Sequence, residues 1–176
     1  MMMMALACVG FTSCGDNDDD LEDTNKKSNV DPEGTVVVNM RNDGKSWETV
    51  DIPQGNYTVY LNDGTTRQIP VQSSIRIDES NNFKASSIAS IGAVSGLAKV
   101  NSIPNSGWTN SAAVVPGCGY VIKYERDETI KDIPYTTQHI VRYARLYVVD
   151  YMTSATNSGI IGATVKYQGN WKSANQ

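Results

Sequence analysis

The sequence predicts an all-β protein: a single small β-sandwich, with a small β-barrel as the alternative, carried behind a flexible acidic tether. Three observations predict it. Short runs rich in Val, Ile, Thr and Tyr recur from residue 34 onward, and such side chains fit a pleated, half-buried surface. Asn-Asp-Gly, Ser-Gly and Pro-Gly steps punctuate these runs, and Gly accepts the positive φ of a tight turn without strain. No window sustains the 3.6-residue period of an amphipathic helix.

The elements follow in order. Gly34-Thr35-Val36-Val37-Val38-Asn39-Met40 is a β-branched strand ended by Asn42-Asp43-Gly44. Residues 47–52 form a second, stopped by Pro53 and Gly55, and residues 57–61 a third, cut by Asn62-Asp63-Gly64. Ser74-Ile75-Arg76-Ile77-Asp78 alternates, with Ile75 and Ile77 on one face. Residues 88–94 and 97–100 flank Ser95-Gly96; a polar loop with Pro104 and Gly107 then leads to Trp108. Residues 112–115 meet the Pro116-Gly117 turn, and residues 120–125 form a further strand. Residues 127–133 suit one helical turn, residues 139–152 form the longest strand, and residues 160–171 close the domain. No internal repeat is visible.

A chain of 176 residues suits one domain, and 40% hydrophobic content supports a core. The net charge of −4 is unevenly spread. Residues 15–33 carry eight acidic side chains against Lys26 and Lys27, so residues 34–176 are close to neutral. A near-neutral domain offers no electrostatic case for nucleic acid. Only Cys118 lies in the domain, which excludes an internal disulfide and metal-ligand Cys-x-x-Cys spacing. Cys118 reads as a small apolar core residue.

Residues 1–13 are apolar, uncharged and too short to span a bilayer; they read as a lipoprotein signal peptide, although the positively charged start of a usual one is missing. Phe11-Thr12-Ser13-Cys14 resembles a lipobox. Small side chains flank the scissile bond, and the Cys14 thiol is the group that takes the lipid. Residues 14–33 are then the lipidated cysteine and its tether. Asp16, Asp18, Asp19 and Asp20 follow closely and resemble the acidic export signal of surface lipoproteins in Bacteroides-type bacteria. With Leu21 and Val30 as its only large apolar side chains, the tether cannot offset its ordering entropy. As a coil it would hold the domain ~25 Å from the lipid. The predicted address is the outer membrane, facing the cell surface, with the N-terminal lipid as the membrane contact.

Residues 34–170 resemble a family of Bacteroides-type lipoproteins classed as a domain of unknown function. The resemblance rests on the Val-rich first strand, Ser80-Asn81-Asn82-Phe83-Lys84, the Ile91-Gly92 to Ser95-Gly96-Leu97 block, Val115-Pro116-Gly117 before Tyr120, and Tyr147-Val148-Val149. It implies no catalytic residues and no activity.

Each candidate site has a structural role as its alternative. His139 is the only histidine. A Ser-His-Asp relay needs such a base, but no glycine-flanked nucleophile serine accompanies it, and His139 reads as a polar residue at a strand start. Glu125, Asp127, Glu128 and Asp132 sit beside Arg126 and Lys131; a glycosidase needs two placed carboxylates, but the mixed charges read as a solvated turn. Phosphate-cradling glycine loops are absent. The candidate binding face is aromatic. Period-two alternation places Ile140, Ala144, Leu146 and Val148 on one face and Tyr143, Arg145, Tyr147, Val149 and Tyr151 on the other. Tyr143, Arg145, Tyr147 and Tyr151 would form a surface stripe suited to stacking on sugars or burying against protein. The expected function is a non-enzymatic binding or accessory module for glycan or protein, with no metal and no cofactor. The alternative is a structural or assembly component of a surface filament or envelope complex; an enzyme is the least favoured reading.

Overall fold

The β-branched runs and turns fold into eight strands: β1 (Glu33–Asn39), β2 (Val50–Tyr60), β3 (Thr66–Ile77), β4 (Asn82–Ala93), β5 (Thr109–Ala113), β6 (Cys118–Lys131), β7 (Thr136–Thr153) and β8 (Ile160–Gln168). They are seen in a computed structural model that describes residues 33–40, 48–156 and 158–173. The leader, Cys14 and the acidic run lie outside the described residues. No helix among the described residues is long and apolar enough to cross a membrane.

All eight strands join one mixed sheet in the order β1-β8-β7-β6-β2-β3-β4-β5. Its neighbours are antiparallel except β2 and β6, which meet in parallel at the single pair Tyr60↔Lys131. β6 also pairs with β4, from Ile88↔Ile122 to Ala93↔Cys118, and therefore changes partner along its length. Val38, Ile52, Ile75, Phe83, Ile122, Leu146 and Val165, from β1, β2, β3, β4, β6, β7 and β8, all belong to one buried cluster. Strands from both ends of the order thus share a single core, so the sheet folds over on itself with one face inward.

Tyr120 anchors that core. Its ring meets Phe83 edge-on at 5.2 Å, and its hydroxyl donates to Ala113 O at 2.6 Å and accepts from Val115 N at 3.0 Å. Burial pushes its pKa up to about 12. A second cluster lies on the outer face, where Val100, Val121 and Trp171 pack with Trp108 and Tyr143.

Four elements differ from the sequence expectation. Pro53 and Gly55 do not stop a strand: β2 runs through them with a register shift between Pro53 and Asn56, and a bulge tolerates a residue without an N–H. Leu97–Lys99 is a 3-10 turn whose following residue, Val100, packs on the outer cluster. Residues 127–133 are not helical, because β6 continues to Lys131 opposite β7. β8 ends at Gln168, and Trp171 returns to the outer face, its N–H donating to Tyr143 O at 2.7 Å.

Candidate functional site

β7 carries the predicted aromatic stripe, and the structure divides it. Ile140, Ala144, Leu146 and Val148 are buried as the alternation requires. Tyr143, Arg145 and Tyr147 take the opposite face. Tyr151 does not join them. The β7–β8 register shifts between Val148 and Asp150, leaving Val149 as the extra residue. One extra residue flips every later side chain to the other face. Tyr151 therefore lies opposite Ala163, packs against the main core and donates to Val114 O at 2.7 Å.

The rest of the stripe is partly covered. Trp108 lies 6.1 Å from the Tyr143 ring, tilted by 37°. Arg145 donates from Nε to Gln168 Oε1 at 2.6 Å and from Nη1 to Val100 O at 3.1 Å, and its guanidinium sits 5.4 Å from the Trp171 ring. These side chains form the seam beneath the outer cluster, which corrects the expectation of an open four-residue binding face.

Strand geometry also separates the carboxylate group, correcting its reading as a solvated turn. Glu125 and Asp127 point to the outer face with His139, whose ring nitrogens lie 2.8 Å from Asp127 Oδ1 and 3.3 Å from Glu125 Oε1. These bonds, Asp127 first, raise the His139 pKa. Lys123, 2.6 Å from Glu125, is the main cause that lowers the Glu125 pKa, with His139 second. Glu128 takes the inner face, where it accepts from Tyr57 at 3.1 Å and from Tyr124. Burial, then the bond to Glu128, pushes the Tyr124 pKa up to about 12 and raises that of Tyr57. Both phenols remain neutral donors at physiological pH and hold the carboxylate between them.

A large concavity lies at one end of the sheet. A cleft of about 730 Å³ opens between the turn after β2 and the turn between β6 and β7. Its apolar wall is Tyr60, Leu61, Ile130 and Ile133; Asn62, Thr65, Lys131 and Thr136 supply polar groups. Ile133 is 68% exposed and the adjacent Tyr135 72%. Mostly apolar walls with a few polar groups are the usual make-up of a binding cleft, and this volume lies within the usual range of roughly 300–1,000 Å³. In the sequence, Asn62-Asp63-Gly64 signals only a turn. The recoverable clue was Ile133-Pro134-Tyr135, two large apolar residues in a connection where burial is not expected.

Cys118 is a free, half-buried thiol packed against the main core. Among the described residues, no group of three or more His, Cys, Asp or Glu is arranged to hold a metal ion.

Comparison with known proteins gives a family and no activity. No curated protein sequence and no solved structure is significantly similar to the chain. Residues 60–176, which hold the cleft and β3 to β8, match the family described as Domain of unknown function (DUF5036). The match spans well over half of the 176 residues, and the chain belongs to the DUF5036 family.

Proposed function

We propose that the protein is a surface lipoprotein of the Bacteroides type, whose domain is a non-enzymatic module that docks a protein partner of the cell envelope in the end cleft. The leader, the lipobox-like Phe11-Thr12-Ser13-Cys14 and the acidic run after it support anchoring to the outer membrane with the domain facing outward. The single observation that carries the docking reading is the cleft itself. It is walled by Leu61, Ile130 and Ile133 beside Tyr60 and flanked by the exposed Tyr135. Aliphatic walls suit an apolar protein side chain better than a sugar, and exposed Tyr and Ile beside a concavity are what a protein contact would desolvate.

A crosslinking experiment tests it. A photoreactive residue replaces Ile133 in the full-length chain on cells, and the same residue replaces the exposed Glu79 as control. The expected result is one envelope protein crosslinked through a single peptide at position 133 only. Its affinity for the purified chain should fall about tenfold or more on Ile133→Asp, the size of an anchor residue. Equal adducts at both positions, or an affinity unmoved by Ile133→Asp, would discard the docking reading. The anchor is tested separately: Cys14→Ala should free the protein from membranes, and an unacylated wild-type N-terminus would refute lipidation.

A further inference from the structure

We propose that the docked segment of the protein partner carries a carboxylate as well as an apolar anchor, and that Arg142 receives it. This deepens the docking reading of the end cleft and rests on it. A second hollow of about 260 Å³ adjoins the cleft, with Tyr60 and Ile130 lining both. Two of its walls are alternating strand positions: Asn56, Thr58 and Tyr60 along β2, and Gln138, Ile140 and Arg142 along β7. The route from cleft to hollow therefore follows β7. Thr136 lines the cleft and Arg142 the hollow, a rise of about 20 Å along the strand. An extended segment of roughly six residues spans that distance.

The chemistry changes along the route. At the cleft end Leu61, Ile130 and Ile133 offer apolar contact. At the other end stands Arg142, and no carboxylate lines the hollow. The carboxylates nearby are engaged elsewhere. Asp127 and Glu125 lie on the outer face, bonded to His139. Glu128 shares the face of Arg142, but it stands opposite Gln138, whereas Arg142 stands opposite Tyr124. It accepts instead from Tyr57 and Tyr124.

Arg142 is half-buried. Among the described residues its acceptor is the neighbouring Val141 O, 3.1 Å from Nη1. That bond orients the guanidinium and leaves the rest of its donor fork without a protein acceptor. A planar fork of this kind matches both oxygens of a carboxylate, and partial burial strengthens the pair over one in open water. The side-chain amides of Asn56 and Gln138 line the same hollow and suit the peptide backbone beside that carboxylate. The carboxylate comes from an acidic side chain or from a C-terminus; the chemistry at Arg142 is the same.

Calorimetric titration of the full-length chain with synthetic peptides tests this. The lead peptide is Leu-Leu, a spacer of about four serines and a free C-terminal carboxylate, long enough to span the route. Its comparisons are the C-terminal amide, the amide ending in Glu, the acid with the spacer cut to a single serine, and the acid with both leucines replaced by serine. The free acid or the Glu peptide should bind about tenfold more tightly than the plain amide, the size of a charge-assisted bond. Which of the two does so distinguishes a C-terminus from an acidic side chain. The short-spacer and leucine-free peptides should be weaker by a similar factor. Arg142→Gln should abolish the preference for the carboxylate, and Arg142→Lys should keep part of it, with thermal melts confirming that both variants fold. Acid, Glu and amide peptides binding equally, with the leucines still required, would overturn the assignment of Arg142 and leave the docking reading of the cleft standing. A short-spacer acid binding as well as the lead peptide, no peptide binding, or a folded Arg142→Gln chain that keeps the preference would also overturn it.

Discussion

Replacing Tyr151 separates the bulged strand from a regular one. In regular alternation Tyr151 shares the face of Tyr147, and its removal costs little. In the structure its ring packs against the main core and its hydroxyl donates to Val114 O at 2.7 Å. Tyr151→Phe removes only that bond. Val114 O keeps a second donor, Asn81 Nδ2 at 3.2 Å, so the acceptor is not orphaned, and the cost should be about 0.5–1.5 kcal/mol. Tyr151→Ala also removes the ring. A fully buried aromatic loses roughly 3–5 kcal/mol on such a change; Tyr151 is half-buried, which brings the expectation to about 2–3 kcal/mol. Urea unfolding of the full chain, with the midpoint read at constant m, measures both. A Tyr151→Ala loss below about 0.5 kcal/mol, the range of ordinary surface substitutions, would refute the bulge and restore the four-residue stripe.

Three further outcomes follow from the packing. Tyr120→Phe strips the partner from Val115 N–H and Ala113 O together and should cost about 1–3 kcal/mol in the same assay; no loss would mean water replaces the hydroxyl. Gly162→Ala would bring a Cβ within 2.5 Å of Val38 O, a backbone atom of the paired strand β1, and should destabilise by about 1–3 kcal/mol, whereas a neutral result would show that β1 shifts freely. His139 is the only histidine, so one NMR resonance reports it. Its pKa is raised in the fold, by Asp127 first. Its stabilising effect is therefore complete below the unfolded value near 6.5 and is lost as pH rises through the raised value. Asp127→Asn should bring the midpoint back down, and an unmoved midpoint would remove Asp127 as the cause.

The strand runs were legible because alternation and turn chemistry are local. Ile75, Ile77, Ile140, Ala144, Leu146 and Val148 are buried as their spacing requires, and Asn62-Asp63-Gly64 turns, with Gly64 at φ +82°. The failures share a cause: each depends on a partner strand that sequence does not identify. Nothing within residues 140–151 marks Val149 as extra, since the bulge is set against Val165 and Thr164 of β8. Pro53 and Gly55 look like a stop until β3 supplies the pairs on either side of them. Residues 127–131 look like a mixed-charge turn until β7 lies alongside and sorts Asp127 from Glu128 by face. The end cleft was out of reach for the same reason, since its walls come from the turn after β2 and the turn between β6 and β7, which only the fold brings together.

β6 borders both the end cleft and a polar groove beside β3. Along one edge it pairs with β7 from Gly119 to Lys131. Along the other it pairs with β4 only as far as Ile122, and with β2 only at Lys131. Between those points no described strand satisfies its backbone on that edge, and buried backbone groups without partners are costly. A side-chain bridge stands where the ladder is missing: Tyr57 from β2 and Tyr124 from β6 both donate to Glu128. That bridge ties β2 to β6 without drawing their backbones into register. At one end of the unpaired stretch the strands rejoin at Tyr60 and Lys131, and the apolar cleft opens beside that junction. At the other end Lys123 to Arg126 lie across from Gln72 to Ser74, and the polar groove fills the space. A ladder continuous from Ile122 to Lys131 would remove the groove and narrow the cleft. The inward tyrosine–carboxylate cluster thus joins β2 to β6 over the stretch where their backbones do not pair.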